Sequence, residues 1–236
     1  QQFSIMKGSI LLTAACLLPV AGSAAVLNHT FVTITGITDV SGTSTPGSTL
    51  DDVIGVGLMI DQSGLDVTYT PGVDSVHAFS GVHDQFEATH GHWGGSPATL
   101  GPLVLDFTFD REYPITDLAL WPVDSGIPIG DTGPKDFNLY LSTTGTFSAV
   151  PDFSGTAAAV TGTGKANPMQ LFGELGDIPA SFARLEILSN YGGVSTELGE
   201  VAFGSSIPEA SEASVIMLGL SGFLFGARRR KRADRK

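Results

Sequence analysis

The chain has 236 residues, 30 of them glycine and only 15% charged, long enough to bury a sizeable core and composed like a protein of strands and turns. Between residues 26 and 207, four basic side chains (Arg111, Lys135, Lys165 and Arg184) stand against 21 of the 24 acidic ones, a formal net charge of −17. Such a body repels phosphates and anionic headgroups, which argues against nucleic acid as a partner; it suits a hard cation such as calcium, or simple solubility.

The N-terminal stretch reads as an address. Met6-Lys7 precedes an apolar run from Ile10 to Val20 and then the small residues AGSAA. That order makes residues 1–25 a secretory signal peptide, cut after Ala24 or Ala25. Cys16, the one cysteine, falls inside it, so the body at 26–206 has no disulfide and no thiolate chemistry.

Strands follow in order. FVTITGIT (31–38), LVLDFTF (103–109), FNLYLS (137–142), FARLEIL (182–188) and LGEVAF (198–203) alternate apolar and polar residues with period two, as half-buried strands do. SGTSTPGST (41–49), DSGIPIGDTGP (124–134) and SGTAAAVTGTG (154–164) are turn-rich connections. Many short strands without helical periodicity predict one all-β domain, an antiparallel β-sandwich.

An ordered set of segments carries a resemblance: MIDQSGL (59–65), HGHWGG (90–95), LVLDFTFDREYPITDLALWPV (103–123), KDFNLYLSTTGTF (135–147), FARLEILSNYGG (182–193) and ELGEVAF (197–203). Together, over residues 50–204, they resemble the discoidin, or coagulation-factor type C, domains of the galactose-binding-like superfamily. Gln62 stands where the family has glycine, Thr144 where it has an aspartate before Gly145, and the second arginine of the late strand is missing. The resemblance implies an eight-stranded jelly-roll β-sandwich that binds ligands through loops at one rim. It also implies a structural calcium held by an early loop and the last strand's glutamate, here Asp61 and Glu200, with Asp66 as an addition. A glutamate among Leu198, Val201 and Phe203 needs a partner if buried; a cation is one reading and Arg184, or plain exposure, is another.

Motifs for catalysis are absent: no nucleophile elbow, HExxH, phosphate loop or paired-cysteine site occurs. His90 and His92 alternate beside Trp93, so on a strand both imidazoles face one way and could meet one cation, with His83 or Asp84 as a third ligand; a polar loop leading to a core tryptophan is the other reading. The loops at 71–96, 124–134 and 190–196 are candidate ligand contacts. Their residues chosen for sugar binding are His90, His92, Trp93, Asp131 and Tyr191, polar groups with an aromatic face.

The chain closes on IPEAS (207–211), a Gly- and Leu-rich apolar segment, and ARRRKR (227–232). This three-part tail, residues 207–236, resembles the PEP-CTERM sorting signal, with Ala210 in place of its second proline. The resemblance implies recognition by an exosortase through Pro208, Glu209, Arg228, Arg229 and Arg230, removal of the tail near Pro208-Glu209, and release to the cell surface or exopolysaccharide matrix. As a helix, 213–227 would rise ~22 Å, short of the ~30 Å hydrocarbon core, so it reads as a weak transmembrane anchor with the basic cluster cytoplasmic; a permanent anchor is the alternative. The resulting expectation is an exported, non-catalytic surface or matrix protein that binds exopolysaccharide. Its rival is a structural or adhesive coat protein that works by protein–protein contacts.

Overall fold

The computed structural model describes residues 25–28, 30–39, 56–84, 91–93, 96–123, 131–160 and 167–206. The stretch read as a signal peptide (apart from Ala25), His90, the stretch read as a transmembrane anchor, and Pro208, Glu209 and Arg228 to Arg230 of the expected sorting signal lie outside them. Among the described residues, no helix is long and apolar enough to cross a membrane. The helical structure there amounts to a 3₁₀ turn, Val56–Ile60, and one α-helical turn, α1 (Pro97–Leu100).

Thirteen strands are described, and every pairing between them is antiparallel. They are β1 (Ala25–Leu27), β2 (Val32–Asp39), β3 (Val82–His83), β4 (Gly91–Trp93), β5 (Leu103–Pro122), β6 (Asp131–Pro134), β7 (Asp136–Ser142), β8 (Phe153–Thr156), β9 (Asn167–Pro168), β10 (Gln170–Phe172), β11 (Ile178–Ile187), β12 (Asn190–Tyr191) and β13 (Thr196–Ser205). Nine of them join one sheet, in the order β1-β13-β5-β11-β7-β8 with β2, β4 and β10 branching off; β12-β6 and β3-β9 are separate pairs. The nine-stranded sheet exceeds the eight strands implied by the resemblance because short peripheral strands attach to it.

The expected strand 103–109 is the first half of a 20-residue strand. DREYPITD hides the continuation, because three exposed residues and a proline interrupt the alternation. Pro114 sits in the ladder opposite Pro179, where neither partner can donate an N–H. The first half of β5 runs between β2 and β11, the second between β13 and β10. A bulge facing Gly204/Ser205 shifts the register, so Ile115 and then Leu118 and Leu120 all join the main core.

This shared strand curls the sheet until its halves face each other as a sandwich. Phe107 and Phe109 of β5 meet Phe203 of β13 edge to face at 5.2 and 5.1 Å, and Phe137 of β7 meets Phe172 of β10 at 4.8 Å. Each such ring contributes about 1.5–3 kcal/mol through burial.

The half containing β13 is covered on its second face too. Residues 61–84 cross it as a strap, packing Tyr69 and Val76 on Val26, Ala119, Trp121 and Ala202, with Leu65 and Phe79 alongside. Trp121 Nε1 donates to Gly81 O at 3.2 Å. All ten residues of β13 are buried in consequence, and the usual one-face alternation of antiparallel strands is lost.

Candidate ligand rim and buried carboxylate

Two places gather the polar residues singled out in the sequence. The first is the rim at the start of β13. There β4 pairs with it, Trp93 opposite Thr196 and His92 opposite Glu197. The β6–β12 pair brings Tyr191 opposite Asp131 and Asn190 opposite Pro134. Asn190 fixes the turn between β12 and β13, its Nδ2 donating to Gly193 O (3.0 Å), Ser195 O (2.9 Å) and Thr196 Oγ1 (3.3 Å). Thr132 Oγ1 donates to Val123 O at 3.1 Å, tying β6 to the end of β5. The backbones of His92, Asp131 and Tyr191 therefore share one end of the sandwich.

Within that rim, Tyr191 is half-buried and its hydroxyl donates to Ala157 O. Lys135 places its ammonium 5.7 Å from the Tyr191 ring centroid, close enough for a cation–π contact. Trp93 corrects the sugar-platform assignment. Its ring is 4% exposed and belongs to the main core, so no open face remains for a pyranose, and it takes the core reading instead.

The second place is Glu200, fully buried on the strap face of β13. The Gln62 N–H donates to both of its carboxylate oxygens at 3.1 Å, and the Tyr69 hydroxyl donates to Oε1 at 3.2 Å. Burial pushes the carboxyl well above its ordinary range; the two donors oppose that push and the negative charge of Asp61 adds to it. Tyr69 is pushed above the usual phenol range by the same burial and by the charge of Glu200. Gln62 holds the left-handed φ of 67° at the position where the resembling family has glycine. Its side chain steadies that backbone, Oε1 accepting the Tyr69 N–H at 2.8 Å.

Asp61, whose Oδ1 accepts the Ser63 N–H at 2.8 Å, lies near enough to Glu200 for its charge to act on that carboxyl. Asp66 stays exposed and accepts the Val82 N–H at 2.8 Å. Arg184, offered as the alternative partner of Glu200, forms a two-pronged pair with Asp106 instead, at 2.7 and 2.9 Å. It sits directly opposite Asp106 in the β11–β5 ladder. Among the described residues, no three His, Asp or Glu side chains gather as a metal centre. His83, considered as a third ligand beside His92, is buried with its ring against Gly199.

Tyr69, Gln62 and Lys135 escaped the sequence reading as site residues. Nothing in VTYTPG marks Tyr69 for a buried carboxylate more than 130 residues away in the chain.

No family model matches the chain, and no curated protein matches it in sequence. Solved structures resemble it in shape. An F5/8 type C domain from Bacteroides fragilis is 14% identical, covering 78% of this chain and 97% of its own, with a TM-score of 0.47. A putative chitobiase fragment from Bacteroides thetaiotaomicron is 14% identical, covering 76% and 92%, at 0.45. The family 32 CBM of C. perfringens NanJ, solved with galactose, is 11% identical, covering 77% and 98%, at 0.38.

Proposed function

We propose that this chain is an exported, non-catalytic surface or extracellular-matrix protein that binds carbohydrate through a discoidin-like sandwich, using the rim around Tyr191. The supporting observation is the position of that rim relative to the chain ends. β13 begins at the rim and ends at Ser205, which pairs with Ala25. Its ten residues span ~30 Å. Ala25 and Ser205 therefore lie at the end opposite the rim, which is where a signal peptide and a sorting tail would continue. A domain held by its tail presents the rim outward, where a matrix glycan is met. An exosortase acting near Pro208-Glu209 then frees the domain with its rim intact.

Calcium belongs to the same reading. Asp61 and Glu200 would hold it: a buried carboxylate beside a second acid is the donor set a hard cation stabilises. The ion would supply the positive charge that the described surroundings of Glu200 lack, and so would order the strap.

The test is a pull-down of the processed protein, isolated from its cells, on a panel of polysaccharides in calcium and in EDTA. Retention in calcium is expected. Failure to bind any glycan in either buffer transfers the weight to a coat protein acting by protein–protein contacts.

A further inference from the structure

We infer that Lys135 makes the rim selective for anionic sugars, those bearing a carboxylate such as uronic acids. This rests on the carbohydrate-binding reading above and names the ligand class of that site.

The starting point is charge. A body this acidic repels polyanions, so acceptance of an anionic sugar requires a local cation with spare bonding capacity. The described residues hold three basic side chains, Arg111, Lys135 and Arg184. Arg184 is spent on the two-pronged pair with Asp106 and lies over the Phe147 ring at 4.7 Å. Arg111 lies over the Tyr113 ring at 4.8 Å, on the exposed bend of β5 and away from the rim.

Lys135 differs from both. It joins β6 to β7, its N–H donating to Ser189 O and its carbonyl accepting from Ala157 N–H, each at 2.8 Å. The backbone is therefore fixed beside Tyr191. The carboxylate of adjacent Asp136 is 3.9 Å away, the outer limit of an ion pair. Asp136 is already satisfied: Ser189 Oγ donates to Oδ2 at 2.7 Å and Thr156 Oγ1 to Oδ1 at 2.8 Å. These two hydroxyls hold its carboxyl below the usual carboxylate range, ahead of any contribution from Lys135.

The Lys135 side chain is thus 42% exposed, with its ammonium stationed over the aromatic ring and not consumed by its neighbour. The ring offers apolar contact to a pyranose and the ammonium offers charge-assisted hydrogen bonds to its carboxylate.

The experiment titrates the processed protein with galactose oligomers and with galacturonic acid oligomers of equal length, which differ at one carboxylate per sugar. Wild type is expected to prefer the acidic oligomer by about tenfold, a preference that shrinks with added salt. Lys135→Gln is expected to collapse the preference to near unity, and Lys135→Arg to restore it. Equal binding of both oligomers by wild type, or a preference that survives in Lys135→Gln, overturns the inference while leaving the carbohydrate reading standing. No binding of either oligomer also overturns the inference, and the polysaccharide panel then decides the carbohydrate reading.

Discussion

Ala25 lies directly opposite Ser205 across the β1–β13 ladder, and both are buried. Ala25 also bridges to Ser75 of the strap. The residue that closes the span read as a signal peptide is therefore already part of the sheet. Cleavage after Ala24 leaves β1 whole, whereas cleavage after Ala25 removes one of its three residues. We predict that intact-mass analysis of the native protein finds Ala25 at the N-terminus and a C-terminus near Pro208. A mass that still includes RADRK contradicts the processing reading, and a start at Val26 contradicts the structural choice between the two cuts.

Glu200 predicts a pH dependence. An unfolded glutamate loses its proton near pH 4.3, while the folded one, pushed up chiefly by burial, keeps it to higher pH. Between those values the native state binds more protons than the unfolded chain, so this group's contribution is fullest below pH 4.3 and falls as pH rises. In EDTA, Glu200→Gln should flatten that decline and melt higher than wild type at pH 7. Calcium favours the ionised form, so adding it should raise the wild-type melting temperature and leave the variant unmoved. At 100 times the Kd, the gain is about 2.7 kcal/mol. Thermal melts from pH 4 to 8 decide the matter: a variant that tracks wild type in both buffers eliminates Glu200 as the titrating and cation-holding group.

What was legible in the sequence follows from which faces the fold covers. β7 and β11 show the expected alternation because one side of each packs into the core and the other carries partly exposed polar groups. β5 was half visible, since its second half follows a charged bend. β13 was found as a strand, but its complete burial was not, because the strap comes from residues 61–84, a stretch without strand periodicity. For the same reason Asp61 and Glu200 could be paired only through the resemblance, while Tyr69, which reaches the same carboxylate, carried no local mark. At the rim, turn composition located 124–134 and 190–196, but the cation–π contact of Lys135 with Tyr191 depends on the fold.

Gly199 predicts a steric penalty. It lies in β13 under the buried His83 ring, and a Cβ there would come within 2.7 Å of the imidazole. Neither partner has free space, because β3 is paired to β9 and the Asn167 side chain holds the His83 carbonyl. Gly199→Ala should destabilise the domain by about 1–3 kcal/mol, measurable by chemical denaturation. An unchanged midpoint would show that the His83 ring is not confined by the strap.

Trp93 separates packing from recognition. As a core side chain, its replacement by alanine should cost about 3–5 kcal/mol, whereas phenylalanine fills much of the same volume and should cost far less. If the ring touched sugar, Trp93→Phe would weaken glycan binding without a large loss of stability. Its burial beside Thr196 in the β4–β13 ladder predicts the reverse: Trp93→Phe binds like wild type, and Trp93→Ala loses binding only in step with the folded fraction. Tyr191 should behave in the opposite way. It is only half-buried and hydrogen-bonded at the rim to Ala157, so Tyr191→Ala should reduce sugar binding while most molecules stay folded. Denaturation curves and glycan titrations on the same four proteins, wild type included, test both halves. Binding lost in folded Trp93→Phe, or kept in folded Tyr191→Ala, would move the recognition surface from the β6–β12 pair to β4.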